Sequence, residues 1–345
     1  MTLRDAVKSA TNAVSPPSRE WSATAANTSL PTAERLAAFR QIAQREVGET
    51  WMRRSRALER DFDLPQVYLK FEGDNPTGTQ KDRIAFAQVD EAVARGHTDV
   101  ALATCGNYGV AVALAAKLAG LRCHIYVPAG YHTHRLREME ALGGVIYRPP
   151  GSYEEVVTHS SGEATRLGFY DANPGGKNAA LQINAYAPIG REILAQLNLA
   201  PATCAVPVSN GTLLAGIHAG LGTSPTRMIA ASSTAKNPIV HSARRGLAEC
   251  VDLDPAGIRE TVINEPLINW HSFDGQEALD AIRHTGGAAY NVSDERMRKM
   301  AHYLRERESL NVLPASTASV IALINMHEED KLPAGLHVAV LTAKR

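Results

Sequence analysis

A single lysine, Lys81, lies between a run of turn-forming residues and the start of a predicted helix. The stretch FEGDNPTGTQKDRIAF spans residues 71–86, and its segment 74–78 is rich in residues that favour turns. A lysine whose ammonium is desolvated, or lies near other positive charge, loses its proton more readily and attacks carbonyls. The position of Lys81 therefore indicates Schiff-base chemistry, with a solvated surface lysine as the ordinary alternative.

Two turns that contain glycine follow predicted buried strands, and each could bind an anion. Residues 104–109 read Thr-Cys-Gly-Asn-Tyr-Gly and residues 209–212 read Ser-Asn-Gly-Thr, each ahead of a predicted helix. Backbone N–H groups and the helix dipole at a helix N-terminus both favour a carboxylate or a phosphate. Either turn alone also fits ordinary turn chemistry, because Gly tolerates positive φ and Asn caps helices.

A hydroxyl residue, Thr342, ends the last predicted strand. Ligands of open parallel sheets lie beyond the carboxyl ends of the strands, so this residue is a candidate for a site, although Thr is also a common strand former. A lysine, two anion sites and a polar partner for a ring nitrogen are together what pyridoxal 5′-phosphate and an amino-acid carboxylate require. The residues therefore predict an enzyme that uses pyridoxal phosphate.

Short apolar runs alternate with longer helical patterns along the chain. Strands are predicted at 100–104, 123–127, 145–147, 169–171, 205–208, 228–231 and 337–342, and helices at 109–118, 136–142, 153–167, 179–197, 212–219, 276–284, 294–307 and 316–327. This alternation requires crossover helices and parallel sheets. The sequence therefore predicts an α/β fold.

The composition argues against several classes of partner and site. The 345 residues carry 36 Lys and Arg against 36 Asp and Glu, so no net field attracts nucleic acid or an anionic membrane. Cys105, Cys123, Cys204 and Cys250 lack C-x-x-C spacing, which argues against a metal site or a disulfide framework and favours a cytoplasmic location. The first thirty residues are rich in Ser, Thr and Ala and lack a secretory signal. They favour a disordered leader or a covering arm, with a transit peptide as the alternative.

A family resemblance begins at the lysine. Residues 75–83 read N-P-T-G-T-Q-K-D-R and resemble the N-P-T-G-S-F-K-D-R motif of threonine synthases, members of the tryptophan-synthase-β-like (fold type II) family of pyridoxal-phosphate enzymes. Residues 104–107 resemble the family's S/T-x-G-N substrate loop, and residues 313–318 (LPASTA) resemble its E-P-A-S-A-A helix start. Leu341-Thr342 is similar to the L-T that ends its last core strand. The resemblance runs from about Val47 to the C-terminus.

The resemblance implies a role for each candidate residue. Lys81 would form the Schiff base with the cofactor and later transfer protons, and Asn107 would hydrogen-bond the cofactor's 3′-oxygen. The first turn would surround the substrate carboxylate with N–H groups of Thr104, Cys105, Gly106 and Tyr108. The second turn would hold the cofactor phosphate through Ser209, Asn210, Gly211 and Thr212. Thr342 would meet the ring nitrogen, with Ser316 as the second candidate.

Some positions depart from the family pattern. Gln80 replaces an aromatic residue before the lysine, Trp51-Met52 replaces Pro-Leu, and the second turn is not a run of glycines. The cysteine pair near the N-terminus of some threonine synthases is missing. Cys105 stands where Ser or Thr is usual, and its thiol could either react at the helix N-terminus or pack as a small hydrophobic group. These positions concern substrate recognition more than cofactor binding.

The resemblance implies a lyase of amino-acid biosynthesis that converts O-phosphohomoserine and water to threonine and phosphate. The substrate phosphate would need basic side chains, for which the candidates are Arg83, Lys177, Arg191 and the run Arg135 to Arg137. The alternatives are a serine or threonine dehydratase, a β-replacement synthase of the cysteine synthase type, and a pseudoenzyme that only binds. A Rossmann dehydrogenase is disfavoured, because residues 106–109 are too short for G-x-G-x-x-G.

Family analogy also implies the architecture. We expect two open, mostly parallel twisted sheets with flanking helices, and the cofactor in the cleft between two domains. The expected boundaries are an N-terminal extension at 1–30, a large cofactor-binding domain at 31–89 plus 184–345, and a small domain at 90–183. The expected partners are a small amino-acid substrate, with or without a phosphate group, and a second copy of the chain in a homodimer. Neither nucleic acid nor membrane is expected.

Overall fold

The computed structural model describes residues 13–131 and 135–345, and its contacts form two compact units. The first unit contains the described residues up to Gly48 together with Asn75–Pro174. The second contains Glu49–Asp74 together with Gly175–Arg345. The part of the expected N-terminal extension at residues 1–12 lies outside the described residues.

Each unit is built from one open sheet and its helices. The strands are β1 (Met52–Arg54), β2 (Val67–Phe71), β3 (Asp99–Ala103), β4 (Arg122–Tyr126), β5 (Val145–Tyr147), β6 (Tyr170–Asp171), β7 (Thr203–Pro207), β8 (Arg227–Ser233), β9 (Ala288–Val292) and β10 (His337–Leu341). The helices are α1 (Pro16–Ala25), α2 (Thr32–Glu46), α3 (Arg56–Asp61), α4 (Lys81–Ala94), α5 (Asn107–Ala119), α6 (Leu136–Ala141), α7 (Tyr153–Leu167), α8 (Ala179–Leu197), α9 (Thr212–Leu221), α10 (Pro238–Arg244), α11 (Gly275–His284), α12 (Asp294–Glu308) and α13 (Ala318–Glu328).

The first unit contains a four-stranded parallel sheet in the order β5-β4-β3-β6. Its strand β3 is buried along its whole length, and the following helix α5 is apolar and buried on nearly every side. A helix that is apolar all round must lie inside the protein, which fixes α5 against the sheet. The turn at residues 104–106 therefore starts at the carboxyl end of an internal strand.

Helices α1, α2 and α4 complete the first unit. Phe39 of α2 stacks on Phe86 of α4, with ring centroids 5.6 Å apart. The buried Arg35 donates to the carbonyls of Ala25 and Ala119, where α1 and α5 end. A cation is favourable at a helix C-terminus, so this residue stabilises both helix ends.

This packing departs from the expected domain boundaries. Helix α4 packs against β3 and α5, and helix α2 packs against α4 and α5, because their apolar faces meet there. The contacts consequently group residues up to 48 and residues 75–89 with the expected small domain rather than with residues 184–345.

The second unit contains a six-stranded sheet in the order β1-β2-β10-β7-β8-β9. The pair β1–β2 is antiparallel and every other neighbouring pair is parallel. The last strand, β10, lies between β2 and β7, where Ala339 is opposite both Leu69 and Ala205. The segments that follow β7 and β10 therefore leave the sheet at the same edge. The predicted α/β fold with two mostly parallel sheets is confirmed.

Candidate active site

The lysine motif folds into a turn that leads directly into α4. The Gly78 N–H donates to the Asn75 carbonyl at 2.8 Å, which closes a turn with Pro76 in its second position. Gly78 has a φ of 83°, a conformation that favours glycine. The Lys81 N–H then donates to Thr79 Oγ1 at 3.1 Å. The Thr79 hydroxyl thus accepts an N–H group of the first turn of α4, and Lys81 is the first residue of that helix.

Asp82, next to the lysine, holds the turn from behind. Its buried carboxylate accepts the Thr77 N–H at 2.9 Å and the Thr77 hydroxyl at 2.9 Å. Burial raises the pKa of Asp82 to about 7, against the hydrogen bonds from Thr77 and the charge of Arg135, which lower it. The turn and the helix that carry Lys81 are thus locked together by one side chain.

The Lys81 ammonium lies over an aromatic ring. Its Nζ is 5.7 Å from the centre of the Tyr108 ring, a cation–π distance. The Tyr108 hydroxyl donates to the Ala172 carbonyl at 2.7 Å, which fixes the ring. The first unit therefore brings the predicted lysine and one residue of the first turn into contact.

The first turn is shaped by the Thr104 hydroxyl. Thr104 Oγ1 accepts the N–H groups of Gly106 and Gly109, each at 3.1 Å, and the Thr104 N–H donates to the Tyr126 carbonyl in the sheet. Two of the four N–H groups expected to face a substrate carboxylate, those of Thr104 and Gly106, are therefore already used within the chain. The other two, on Cys105 and Tyr108, stay a prediction.

Gly109 allows a close approach between α5 and α6. A Cβ at this position would lie 2.5 Å from Thr104 Cγ2 and 2.8 Å from Met139 Cε. Met139 is fully buried, so α6 is anchored at this contact. As a result, Arg135, which precedes α6, lies beside Asn107 and donates from Nη1 to Asn107 Oδ1 at 2.7 Å.

The second turn also depends on one glycine. Gly211 has a φ of 98°, and a Cβ there would lie 2.4 Å from the Asp274 carbonyl oxygen. The intrahelical hydrogen bonds of α9 begin with the Ala215 N–H, which donates to the Gly211 carbonyl at 3.1 Å. The N–H groups ahead of Ala215 have no intrahelical acceptor, as in the first turn of any helix.

Buried polar groups hold the carbonyls of the second turn. The Ser209 carbonyl accepts from Asn237 Nδ2 at 2.9 Å and from Ser272 Oγ at 3.1 Å. The Asn210 carbonyl accepts the Asp274 N–H at 2.9 Å. These carbonyls face into the protein, which turns the N–H groups of the same peptide segments toward the opposite side.

We call the four residues behind the second turn the supporting layer. It consists of Asn237, Asn269, Ser272 and Asp274, all of them buried. Asn269 Nδ2 donates to Asn210 Oδ1 at 3.1 Å, and the Thr212 hydroxyl donates to the Asp274 carboxylate. The Thr212 hydroxyl is therefore oriented toward the supporting layer.

At the end of β10 two hydroxyls are paired. Ser316 Oγ lies 2.8 Å from Thr342 Oγ1 and accepts the Ala343 N–H at 3.0 Å. Ser316 is fully buried, whereas Thr342 retains 8% of its surface. Thr342 is thus the outer hydroxyl of the pair, at the same edge of the sheet as the second turn.

Residues 43–343 match the family described as "Pyridoxal-phosphate dependent enzyme". The chain belongs to this family. The predicted family is therefore confirmed, and the cofactor is pyridoxal 5′-phosphate.

Curated relatives cover most of the chain at low identity. The threonine synthase of Methanocaldococcus jannaschii is 27% identical over 295 residues, which are 82% of this chain and 70% of the relative. The threonine synthase of Bacillus sp. (strain ULM1) is 28% identical over 283 residues, 80% of this chain and 77% of the relative.

Solved structures of pyridoxal-phosphate enzymes share the fold. Maize serine racemase superposes with a TM-score of 0.74 at 21% identity, covering 90% of this chain and 93% of that one. The processed form of threonine deaminase isoform 2 from Solanum lycopersicum has a TM-score of 0.73 at 18% identity, covering 88% and 81%. These likenesses show the fold alone.

The donors of the second turn fit the phosphate of the family's cofactor. The turn presents backbone N–H groups at a helix N-terminus, and its carbonyls are held away by the supporting layer. Such a concave set of amide donors is a common way for proteins to bind phosphate without a cation.

Sequence reasoning missed the supporting layer. Asn237 had a local signal, because an Asn followed by Pro238 is typical of a helix N-cap and first helical position. Asn269, Ser272 and Asp274 had none, since their role comes only from packing against a turn about sixty residues away in the chain. The departure at Gln80 leaves its buried Oε1 without a hydrogen-bond partner in the described chain.

The described residues contain neither a metal-binding cluster nor a helix that could span a membrane. Within 13–131 and 135–345, no group of three or more His, Cys, Asp or Glu side chains is arranged to hold a metal ion. In the same ranges no helix has the length and apolar character needed to cross a membrane.

Proposed function

We propose that the protein is a pyridoxal-phosphate-dependent lyase of the threonine synthase type, which converts O-phosphohomoserine and water to threonine and phosphate. The observation that carries the proposal is the folded lysine motif at residues 75–83, with Lys81 at the start of α4 and its ammonium against the Tyr108 ring. The two relatives named threonine synthase, at 27% and 28% identity, support it.

Lys81 is proposed as the covalent anchor of the cofactor and as the base of the reaction. The bound cofactor withdraws electrons from the α-carbon of the substrate and so acidifies its proton. The Lys81 amine would take that proton at Nζ and later return it. The Tyr108 ring stabilises the resulting ammonium by about 0.5 to 2 kcal/mol, the range for such contacts.

The remaining candidate residues are proposed to bind and orient. The turn at 209–212 holds the cofactor phosphate through its N–H groups, and Asn107 donates a hydrogen bond to the 3′-oxygen. Cys105 and Tyr108 contribute N–H groups to the substrate carboxylate.

Thr342 is proposed to meet the ring nitrogen as a neutral partner. When Ser316 donates to Thr342 Oγ1, the Thr342 hydrogen is available for an unprotonated nitrogen. A neutral hydroxyl does not hold a proton on this nitrogen, which suits elimination and replacement more than transamination.

A serine or threonine dehydratase is the second candidate, because one cation expected for the substrate phosphate is already paired. Arg135 Nη2 lies 2.8 Å from Glu138 Oε2, and Arg137 and Arg191 lie exposed. A dehydratase needs no second phosphate site.

The test is turnover with four substrates: O-phosphohomoserine, threonine, serine and O-phosphoserine. Release of phosphate without keto acid from O-phosphohomoserine is expected, and Lys81→Ala should remove both this activity and the visible absorbance of the bound cofactor. Keto acid from threonine, with no phosphate from O-phosphohomoserine, would establish the dehydratase instead. A fully active Lys81→Ala variant would refute both.

We also propose that the protein acts in amino-acid biosynthesis in the cytoplasm as a homodimer. Light scattering of the purified protein tests the dimer, for which a mass of twice 37.1 kDa is expected.

A further inference from the structure

The Arg135 guanidinium joins the two segments of the first unit that carry candidate site residues. From Nη1 it donates to Asn107 Oδ1 at 2.7 Å, and from Nη2 it donates to the Thr77 carbonyl at 3.2 Å. The first contact is at the first residue of α5, and the second is in the lysine motif. The side chain is only 13% exposed, so these contacts are shielded from water.

The chemistry of arginine fixes which end of the Asn107 amide faces it. A guanidinium has donors and no acceptor, so only the carbonyl oxygen of the amide can lie against it. This assignment does not depend on how the two ends of the amide are told apart, because the reverse orientation would place N–H groups against N–H groups. The Asn107 Nδ2 group is therefore directed away from Arg135.

The Thr77 contact extends this network to the residue beside the lysine. Thr77 gives its N–H and its hydroxyl to the Asp82 carboxylate, and its carbonyl accepts from Arg135. The N–H, hydroxyl and carbonyl groups of Thr77 are thus all hydrogen-bonded, the first two to Asp82 and the third to Arg135. Movement of Arg135 would consequently disturb both Asn107 and the turn that leads to Lys81.

The charge of Arg135 is balanced by Glu138 in α6, the helix that follows it. Its Nε and Nη2 atoms donate to the two Glu138 carboxylate oxygens at 3.2 Å and 2.8 Å. A guanidinium held by a bidentate carboxylate is neutralised and fixed in orientation, which suits it poorly to binding a substrate phosphate. This arrangement is suited to positioning another residue.

We propose that Arg135 is a positioning residue that fixes the Asn107 amide with Nδ2 as the donor toward the cofactor's 3′-oxygen. The inference rests on the proposed function, because it assigns Asn107 to that oxygen. Arg135 itself touches neither cofactor nor substrate in this role. With Arg135 in place, the Asn107 amide already has the orientation in which it can donate to an acceptor oxygen. Cofactor binding is therefore preorganised.

The test uses Arg135→Gln and Arg135→Lys, with Arg137→Gln as the matched control. Arg137 lies exposed in α6, two residues after Arg135, so Arg137→Gln makes the same change of charge as Arg135→Gln without the contact to Asn107. The readouts are the dissociation constant of the cofactor, the pH midpoint of its visible absorbance, and urea unfolding of the apoprotein.

Both Arg135 variants are expected to bind the cofactor about tenfold more weakly, since a fixed hydrogen bond is lost. The pH midpoint of the absorbance should shift by about half a unit or more, because the 3′-oxygen loses its oriented donor. Arg137→Gln should leave both readouts unchanged. Unchanged affinity and absorbance in both Arg135 variants would overturn the inference.

A double-variant cycle separates this role from a merely structural one. If Arg135 acts through Asn107, then Arg135→Gln should have no further effect on the absorbance midpoint when Asn107 is already Ala. A full additive effect in that background would overturn the inference. Lys81→Ala distinguishes failure of this inference from failure of the proposed function. If Lys81→Ala loses the absorbance while both Arg135 variants keep normal absorbance, only the positioning role of Arg135 is refuted.

Discussion

We predict that substitutions in the supporting layer lower the affinity for the cofactor, although the residues of the second turn itself are unchanged. Asn237 is 1% exposed and does two things. Its Oδ1 accepts the N–H groups of Ile239 and Val240, which caps α10, and its Nδ2 donates to the Ser209 carbonyl and to Asn269 Oδ1, each at 2.9 Å. The substitution Asn237→Ser keeps a capping oxygen and removes the donor, whereas Asn237→Ala removes both.

The magnitudes follow from these contacts. Asn237→Ser takes a donor from the Ser209 carbonyl and from Asn269 Oδ1, which should lower the free energy of unfolding by about 2 kcal/mol. Asn237→Ala additionally loses the cap, for a total of about 3 kcal/mol. Because the Ser209 carbonyl is no longer held, the second turn becomes ordered only when the cofactor binds. The cost of this ordering weakens binding, so the dissociation constant of the cofactor should rise about tenfold.

The assay is urea unfolding of the apoprotein together with titration of the cofactor by absorbance. Ser293→Ala is the matched control, since Ser293 caps α12 in the same unit by accepting the Arg296 N–H at 3.3 Å. It should cost about 1 kcal/mol of stability and leave cofactor affinity unchanged. If Asn237→Ser is destabilised but binds the cofactor as tightly as the wild type, the supporting layer does not orient the turn.

Three further substitutions test the packing of the first unit. Burial alone would raise the pKa of Asp99, but hydrogen bonds from Arg122, His124 and Thr98 have the larger effect and lower this pKa to about 2. Asp99 therefore stabilises the fold above about pH 4, by roughly 1 to 2 kcal/mol after solvent screening at Arg122, and this is lost as the pH falls toward 2. Urea unfolding of the wild type and Asp99→Asn should show a gap at pH 6 that about halves at pH 3, and a gap independent of pH would contradict this. Arg35→Met should cost about 3 kcal/mol, because two buried helix ends lose a charged donor, and equal urea midpoints would contradict it. Gln80→Leu should gain about 1 kcal/mol by removing an unpaired buried oxygen, and a loss of stability would show that this amide is satisfied in solution.

Elements with strong periodicity could be predicted closely from the sequence. The helices at 153–167 and 179–197 and the strand at 145–147 have the predicted bounds. Strands β1, β2 and β9 and helices α1, α2, α3 and α10 were not predicted. The segment of β2, Val67–Phe71, contains Lys70, whose buried ammonium pairs with Glu192 at 2.6 Å. A charge satisfied by a distant partner breaks the apolar pattern on which strand prediction depends.

The same limit applies to the candidate site. The lysine, both turns and Thr342 could be located because each carries a local signal of turn, cap or strand end. Their orientation could not, because it is set by side chains far along the chain, such as Asn269 and Ser272. Arg135 was considered only as a source of positive charge. Its contacts with Asn107 and Glu138 depend on the packing of α6, which no local pattern specifies.

The two turns are held in place by different hydrogen bonds, and they therefore differ in the number of N–H donors that can face an anion. In the first, the Thr104 hydroxyl accepts two N–H groups, which reduces the number of amide donors that can face a ligand. In the second, the supporting layer donates to the carbonyls of Ser209 and Asn210, which leaves the N–H groups directed outward. A phosphate has three terminal oxygens to satisfy, whereas a carboxylate has two. We therefore propose that the richer set of donors binds the phosphate and that the turn beside Lys81 binds the carboxylate of an amino acid.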